Sequence, residues 1–302
     1  MLLEAGADPD DAGARRVGEA LYHAVEFPDP TCAALLIDAG THPHVVEHCL
    51  GRALNFAAPA MVEMMCAHGA RASAAHLHQA VFKRRPPATV RALLDAGAPI
   101  DERDEQGLTP LRVATRWGDA EIAELLAERG ADRGAVSEAD RALGAFLTGA
   151  GAPPADASGL DDLLDQAVQA GDLDVVRRLL EVGARVDGDP DREHNPLAQA
   201  AWRGHAGVVA ALVTAGASLR WGEGSAIGAA LHGSRHCHDP EGGPTMRTIE
   251  EIPRERYARV VKVLLDAGAP VPGEIDGRRS RPVTLIAELG LDPPAPAPWP
   301  VD

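Results

Sequence analysis

Aromatic side chains are scarce in this chain of 302 residues, where Phe, Tyr and Trp together make up 3%. With so few rings, a core has to be built from Ala, Leu and Val packed at close range. The hydrophobic fraction of 45% and the charged fraction of 25% are nevertheless ordinary for a folded protein. Because strands favour aromatic and β-branched residues, this composition indicates closely packed helices and argues against a β-sandwich.

The sequence also lacks a membrane-length apolar run and an apolar signal sequence at its start. Its four cysteines have no CxxC spacing. Asp and Glu number 45 against 29 Lys and Arg, which gives a formal charge of −16, and the basic residues are not gathered in a tract. Phosphate backbones and anionic membranes are bound by clustered Lys and Arg. We therefore expect a cytoplasmic protein whose partner is neither nucleic acid nor a membrane.

One short phrase recurs along nearly the whole chain, first as LLEAGA and later as LLDAGA and LLEVGA. Apolar residues three and four apart form one face of a helix, and a glycine in the left-handed conformation closes it. The closing glycines are Gly6, Gly40, Gly69, Gly97, Gly130, Gly183, Gly216 and Gly268. Their successive spacings are 34, 29, 28, 33, 53, 33 and 52 residues. The period is therefore about 33, and two steps carry insertions of about 20 residues.

The fullest copy of the repeat is GLTPLRVATRWGDAEIAELLAERGAD, from Gly107 to Asp132. Thr109 caps the first helix, Pro110 takes its first position, and Gly118 breaks it before a second helix. A second good copy, HNPLAQAAWRGHAGVVAALVTAGA, covers 194–217.

This pattern resembles the ankyrin repeat, whose family pattern reads G-x-T-P-L-H-x-A-A-x-x-G-H-x-E-V-V-x-L-L-L-x-x-G-A-D, and the resemblance covers most of the chain. It implies an all-α solenoid of stacked helix–turn–helix units, with about eight to nine repeats including degenerate and terminal ones.

The spacing divides the chain into four parts. They are N-terminal repeats at 1–132, an extra helix and Pro/Gly linker at 133–159, C-terminal repeats at 160–290 with a long polar insertion at 232–255, and a Pro-rich tail at 291–302. The extra helix is expected to begin at Ser137, where Asp140 three residues on completes a cap. The first repeat is expected to be truncated, because Met1 to Gly6 corresponds to only the end of an outer helix. Two explanations stay open, which are an upstream segment missing from this chain and self-association through this end.

The binding surface is predicted from the two residues that precede the end of each first helix. In the ankyrin frame these side chains project toward the concave groove. Five of the eight Phe and Trp residues fall at this position, and Trp, Phe and Arg are the types that anchor interfaces. The predicted stripe is Phe27, Phe56, Phe82, Lys83, Arg116, Trp117, Trp202 and Arg203. The alternative is that these rings only pack against the next repeat.

The strongest cluster of reactive side chains lies in the long insertion and consists of His232, His236, Cys237 and His238. His and Cys are zinc ligands, so a metal- or Cys/His-dependent enzyme using the 232–239 loop is one alternative. Against it, structural zinc sites usually show paired CxxC or HxxxH modules, and neighbouring His, Cys and His residues of a regular backbone point in different directions. No GxSxG or P-loop phrase occurs in the sequence either.

Fold alone does not decide function. We expect a non-catalytic scaffold that binds another protein, without a catalytic residue, a metal or a cofactor. The alternatives are the enzyme described above and a self-associating structural protein.

Overall fold

The computed structural model describes residues 3, 6–10, 19–27, 29–55, 59–155, 159–189, 195–221, 224–236, 254–275, 277–278 and 281–293. Within these residues the chain has sixteen α-helices, one 3-10 turn and one hairpin of two-residue strands. The all-α fold expected from the repeats is confirmed. The chain forms two compact units that divide at residues 156/157.

The first unit consists of four helix pairs followed by a single helix. Its helices are α1 (Glu19–Ala24), α2 (Thr31–Asp38), α3 (Pro43–Ala53), α4 (Pro59–Ala67), α5 (Ala74–Phe82), α6 (Pro87–Asp95), α7 (Pro110–Trp117), α8 (Ala120–Glu128) and α9 (Glu138–Leu147). The first helix of each pair packs on the first helix of the next, so α1, α3, α5, α7 and α9 form one row. The helix expected from Ser137 is α9, and Ser137 and Asp140 form its capping box.

The second unit repeats this arrangement with three pairs and a final single helix. Its helices are α10 (Leu160–Ala170), α11 (Leu173–Glu181), α12 (Pro196–Arg203), α13 (Ala206–Thr214), α14 (Ala226–His236), α15 (Arg254–Asp266) and α16 (Arg281–Glu288). The row of first helices is α10, α12, α14 and α16. Over the described residues, seven pairs and two single helices agree with the expected eight to nine repeats.

The closing glycines behave as the repeated phrase predicted. All eight have φ between +78° and +101°, in the left-handed region that a side chain with a Cβ rarely adopts. A backbone hydrogen bond then closes each helix end, as in Gly97 N–H donating to Leu94 O at 3.1 Å. The repeat phase read from the sequence is therefore confirmed at each glycine.

Four aspartate side chains hold the loops that follow them, and three of these aspartates lie in loops themselves, whereas Asp161 lies in the first turn of α10. In each case a carboxylate oxygen accepts a hydrogen bond from a backbone N–H of the following loop, which satisfies a donor that no helix uses. The pairs are Asp10 with His42 at 2.7 Å, Asp101 with Asp132 at 3.0 Å, Asp161 with Arg185 at 2.8 Å and Asp187 with Ser218 at 2.7 Å. Part of the acidic composition thus has a structural use between repeats.

Consecutive first helices approach each other closely at two glycines. A Cβ built on Gly144 in α9 would lie 2.0 Å from the carbonyl oxygen of Thr115 in α7. A Cβ on Gly233 in α14 would lie 2.0 Å from the carbonyl oxygen of Trp202 in α12. Both contacts require glycine, because no real Cβ atom tolerates such a distance.

Two features of the second unit differ from the simplest repeat. The first residues of the predicted insertion, 232–236, continue α14, and 237–253 lie outside the described residues. A short antiparallel hairpin pairs Arg220 with Ser225 and Trp221 with Gly224. Strands of two residues are too short to give an alternating pattern, so the sequence did not reveal them.

A membrane-spanning helix was sought among the described residues, and none is both long and apolar enough.

The close approach of α9 to α7 predicts that Gly144→Ala destabilises the protein. Overpacking a helix contact costs about 1–3 kcal/mol, which exceeds the gain of about 1 kcal/mol that Ala brings to a helix interior. The control is Gly51→Ala in α3, where the new Cβ would meet its nearest neighbour, His76, at 3.4 Å. Thermal unfolding should show a lower Tm for Gly144→Ala and an unchanged or higher Tm for Gly51→Ala. Equal melting of the two variants would contradict the close helix contact.

Candidate protein-binding surface

The predicted binding stripe lies at the ends of first helices in both units. Phe82 is the last residue of α5 and Lys83 follows it, Arg116 and Trp117 end α7, and Trp202 and Arg203 end α12. Phe27 lies just beyond α1, and Phe56 falls outside the described residues.

The exposure of these side chains is uneven. Phe27 is 45% exposed, whereas Arg116 is 6% and Trp117 is 3% exposed. Phe82, Lys83, Trp202 and Arg203 are half-buried. Arg116 and Trp117 therefore contribute to packing in this structure, and the more accessible members of the stripe are Phe27, Phe82, Lys83, Trp202 and Arg203.

Arg116 is buried because it joins a charge network with the helix that follows. Arg112 Nε donates to Asp140 Oδ2 at 2.9 Å, and Arg116 Nη1 donates to Asp140 Oδ1 at 3.3 Å. The hydroxyl and backbone N–H of Ser137 donate to Oδ2 at 2.8 and 3.0 Å.

This network sets the charge state of the Asp140 carboxyl. Burial alone would raise its pKa, but the hydrogen bonds from Arg112 and Ser137 and the charge of Arg112 outweigh burial and lower the pKa to about 2. Asp140 is therefore an anion at neutral pH, and one carboxylate faces two guanidinium groups.

The network predicts that Asp140→Ala is strongly destabilising, by about 3–5 kcal/mol, because it leaves buried Arg116 without its counter-ion. The control is Asp95→Ala, which removes an ion pair to Arg129 at the surface, where Asp95 is 67% exposed. Its cost should stay below about 1 kcal/mol. Denaturant unfolding of both variants gives the comparison, and a small cost for Asp140→Ala would rule out the network as a stabilising element.

Trp117 is enclosed by residues from the end of α5. Its ring centre lies 6.2 Å from that of Phe82, and the guanidinium carbon of Arg84 lies 5.6 Å from the same ring centre. The arrangement combines a tilted aromatic pair with a cation–π contact. The indole Nε1–H of Trp117 is buried and has no hydrogen-bond partner among the described residues.

In the second unit a hydrogen bond from α15 fixes the end of α12. Tyr257 OH donates to the carbonyl oxygen of Trp202 at 2.9 Å, and the guanidinium carbon of Arg203 lies 5.4 Å from the Trp202 ring centre. Both side chains stay partly accessible while their backbone is anchored.

His205 lies next to this helix end and packs against Gly171. Its Nε2 lies 3.2 Å from the carbonyl oxygen of Gln169. Burial lowers the pKa of His205 to about 4, and the charges of Arg203 and Arg256 act in the same direction, although the contact with the Gln169 carbonyl opposes them. The imidazole is therefore neutral in the folded protein at pH 7.

This lowered pKa predicts acid sensitivity of the second unit. As the pH decreases below about 6.5, His205 becomes protonated in the unfolded chain but not in the folded chain. The unfolding free energy therefore decreases as the pH is lowered from about 6.5 to about 4. The loss amounts to at most about 3 kcal/mol. His205→Gln should flatten the pH dependence of the unfolding free energy between these limits. A slope that survives in His205→Gln would show that other groups cause it.

Lys83 was predicted from the sequence as a member of the stripe, but Arg84 and Arg85, which follow it, were missed. Lys83, Arg84 and Arg85 form the longest run of basic residues in the chain. The signal was present, because no Asp or Glu occurs anywhere in 64–94. The formal charge of −16 is a sum over the whole chain and does not reveal this local excess of basic residues.

The candidate metal or catalytic cluster lies only partly within the described residues. His232 is exposed on α14, the side chain of His236 is not among the described ones, and Cys237 and His238 lie outside the described residues. In the part of the chain that the structure describes, no group of three or more His, Cys, Asp or Glu is arranged to hold a metal ion.

Comparison with known proteins places these repeats in a family. Residues 77–127 match the family model described as Ankyrin repeats (many copies). The B-cell lymphoma 3 protein of Homo sapiens is 34% identical over 120 residues, which are 38% of this chain and 21% of that protein. The B-cell lymphoma 3 protein homolog of Mus musculus is 31% identical over 168 residues, 53% of this chain and 33% of that protein. The chain thus spans between a fifth and a third of the length of these curated relatives.

Solved ankyrin structures give loose overlays. The human ASB11 ankyrin repeat domain has a TM-score of 0.36 at 20% identity, covering 92% of this chain and 99% of that one. The ankyrin repeat domain of Bcl-3, a unique member of the IkappaB protein family, has a TM-score of 0.35 at 24% identity, covering 82% and 97%. Residues 77–127 are therefore identified as ankyrin repeats, and the same glycine-closed phrase and packed helix pairs recur before and after this segment in the described residues.

Proposed function

We propose that this chain is a non-catalytic scaffold that binds another protein through the ends of its first helices, on the side that is concave in ankyrin arrays. The single observation that carries the proposal is the gathering of Phe, Trp, Lys and Arg at this one position of successive repeats. In a chain with 3% aromatic residues, such a concentration calls for a specific use.

The accessible members of the stripe suit this role chemically. Phe27, which is 45% exposed, offers an apolar anchor, because its contact with water is unfavourable and a bound partner would remove it. Trp202 with Arg203 stacked beside it offers a flat amphipathic surface, and the Tyr257 bond to the Trp202 carbonyl holds its backbone in place. A backbone fixed before binding loses less entropy when the partner docks.

The proposal is tested by site-specific photo-crosslinking in the native cell. A photoreactive amino acid at position 27 or 202 should form adducts with a partner protein, because both positions lie at first-helix ends. The matched controls are positions 35 and 177, which are exposed on the second helices α2 and α11.

Adducts of a single partner at 27 or 202, absent at 35 and 177, are the expected result. Adducts whose mass equals two copies of the chain would indicate self-association in place of a separate partner. Equal adducts at all four positions, or none at 27 and 202, would contradict the proposed surface.

A further inference from the structure

The third helix pair of the first unit, α5 and α6, carries a charge opposite to that of the whole chain. The segment 64–94 contains no Asp or Glu, although the chain has a formal charge of −16. Its basic residues are Arg71, Lys83, Arg84, Arg85 and Arg91. An isolated positive segment on an acidic protein creates a local potential that attracts carboxylates.

Three of these cations are consecutive and lie where α5 ends. Arg84 is exposed, and its guanidinium lies over the Trp117 ring. Arg85 is held against the neighbouring repeat, because its Nε donates to Leu54 O at 3.0 Å and its Nη2 donates to Asn55 O at 3.2 Å. We call Phe82, Lys83, Arg84, Arg85 and Trp117 the basic patch.

The backbone of Arg84 is strained in a way that its counterparts avoid. Its φ is +52°, the one positive value found on a residue other than glycine among the described residues. The first helices α7, α10 and α12 end at Gly118, Gly171 and Gly204, with φ of +67°, +75° and +77°. A strained residue retained where glycine would be relaxed points to a use for its side chain.

Packing beneath the patch keeps its cations in place. The hydrogen bonds of Arg112 and Arg116 to Asp140 join α7, which carries Trp117, to α9. Trp117 is 3% exposed, and the guanidinium of Arg84 lies over its buried ring. Guanidinium groups that are already oriented bind carboxylates through paired hydrogen bonds at a smaller entropic cost.

We propose that the basic patch binds an acidic segment of the partner protein, with Lys83, Arg84 and Arg85 pairing with its carboxylates. This inference rests on the proposed protein-binding function and names the chemistry of the partner. A nucleic acid is disfavoured, because the basic residues form one short cluster, whereas a phosphate backbone is bound by basic residues spread along its length.

The test uses the whole chain and a fluorescent peptide of twelve residues that alternates Glu with Gly and Ser, together with its Gln-for-Glu counterpart. Fluorescence polarisation should show at least about tenfold tighter binding of the Glu peptide, since one charge-assisted hydrogen bond is worth about that factor. Binding of the Glu peptide should weaken as salt is added.

Charge reversal locates the site. Lys83→Glu with Arg84→Glu should weaken binding of the Glu peptide at least about tenfold. The control pair, Arg133→Glu with Arg177→Glu, makes the same change in net charge at two exposed positions that are not part of the patch, where the side chains are 65% and 64% exposed. It should change binding less than about twofold.

Arg84→Gly separates binding from folding. Glycine is at ease at positive φ, so this variant should melt no lower than the parent while losing affinity for the Glu peptide. A variant that loses both affinity and Tm would assign Arg84 to packing and overturn its part in binding.

Equal binding of the Glu and Gln peptides, an equal loss in the control pair, or tighter binding of a twelve-nucleotide single-stranded DNA would overturn the proposal. Crosslinks from positions 27 and 202 that persist in those cases would keep the protein-binding function and remove only the acidic partner. If these crosslinks are absent but the Glu peptide still binds, the basic patch binds acidic segments and the proposed surface at positions 27 and 202 is wrong.

Discussion

The structure depends on how closely consecutive first helices approach one another. In α9 and α14 the approach leaves no room for a methyl group, because the carbonyl oxygens of Thr115 and Trp202 occupy the space where a Cβ would stand. Small residues elsewhere in the row, such as Ala80 and Ala200, are completely buried. At this separation the side chains at a helix end reach the neighbouring helix as readily as they reach solvent, so packing and recognition compete for the same positions.

That competition explains why residues at one repeat position have different environments. Arg116 and Trp117 lie on α7, which has a first helix on each side, and both neighbours supply partners: Phe82 from α5 and Asp140 from α9. Phe27 follows α1 and remains 45% exposed. The repeat position therefore supplies an opportunity to contact a ligand, and the neighbouring helices decide whether the side chain is free to use it.

The same distinction separates what the sequence predicted from what it did not. The closing glycines, the Thr109 cap and the start of α9 at Ser137 follow from rules that act within a few residues, and all were predictable. The burial of Trp117 depends on which side chains two other repeats present, and no local pattern contains that information. The left-handed backbone of Arg84 was also hidden, because the sequence shows an arginine where the repeat rule would look for a glycine.

The distribution of charge distinguishes one segment of the chain from the other repeats, which the stacking of helices alone does not do. Several aspartates act between repeats as acceptors for backbone N–H groups, including Asp101 and Asp187, so their carboxylates serve the fold as well as solubility. The segment 64–94 interrupts this acidic background with basic residues only. An acidic ligand segment is repelled by the background and attracted at the interruption, so the interruption decides where such a segment can bind. The net charge of −16 and the basic patch thus act on an acidic ligand in opposite directions, and the proposed binding requires the local attraction at the end of α5 to exceed the repulsion from the rest of the chain.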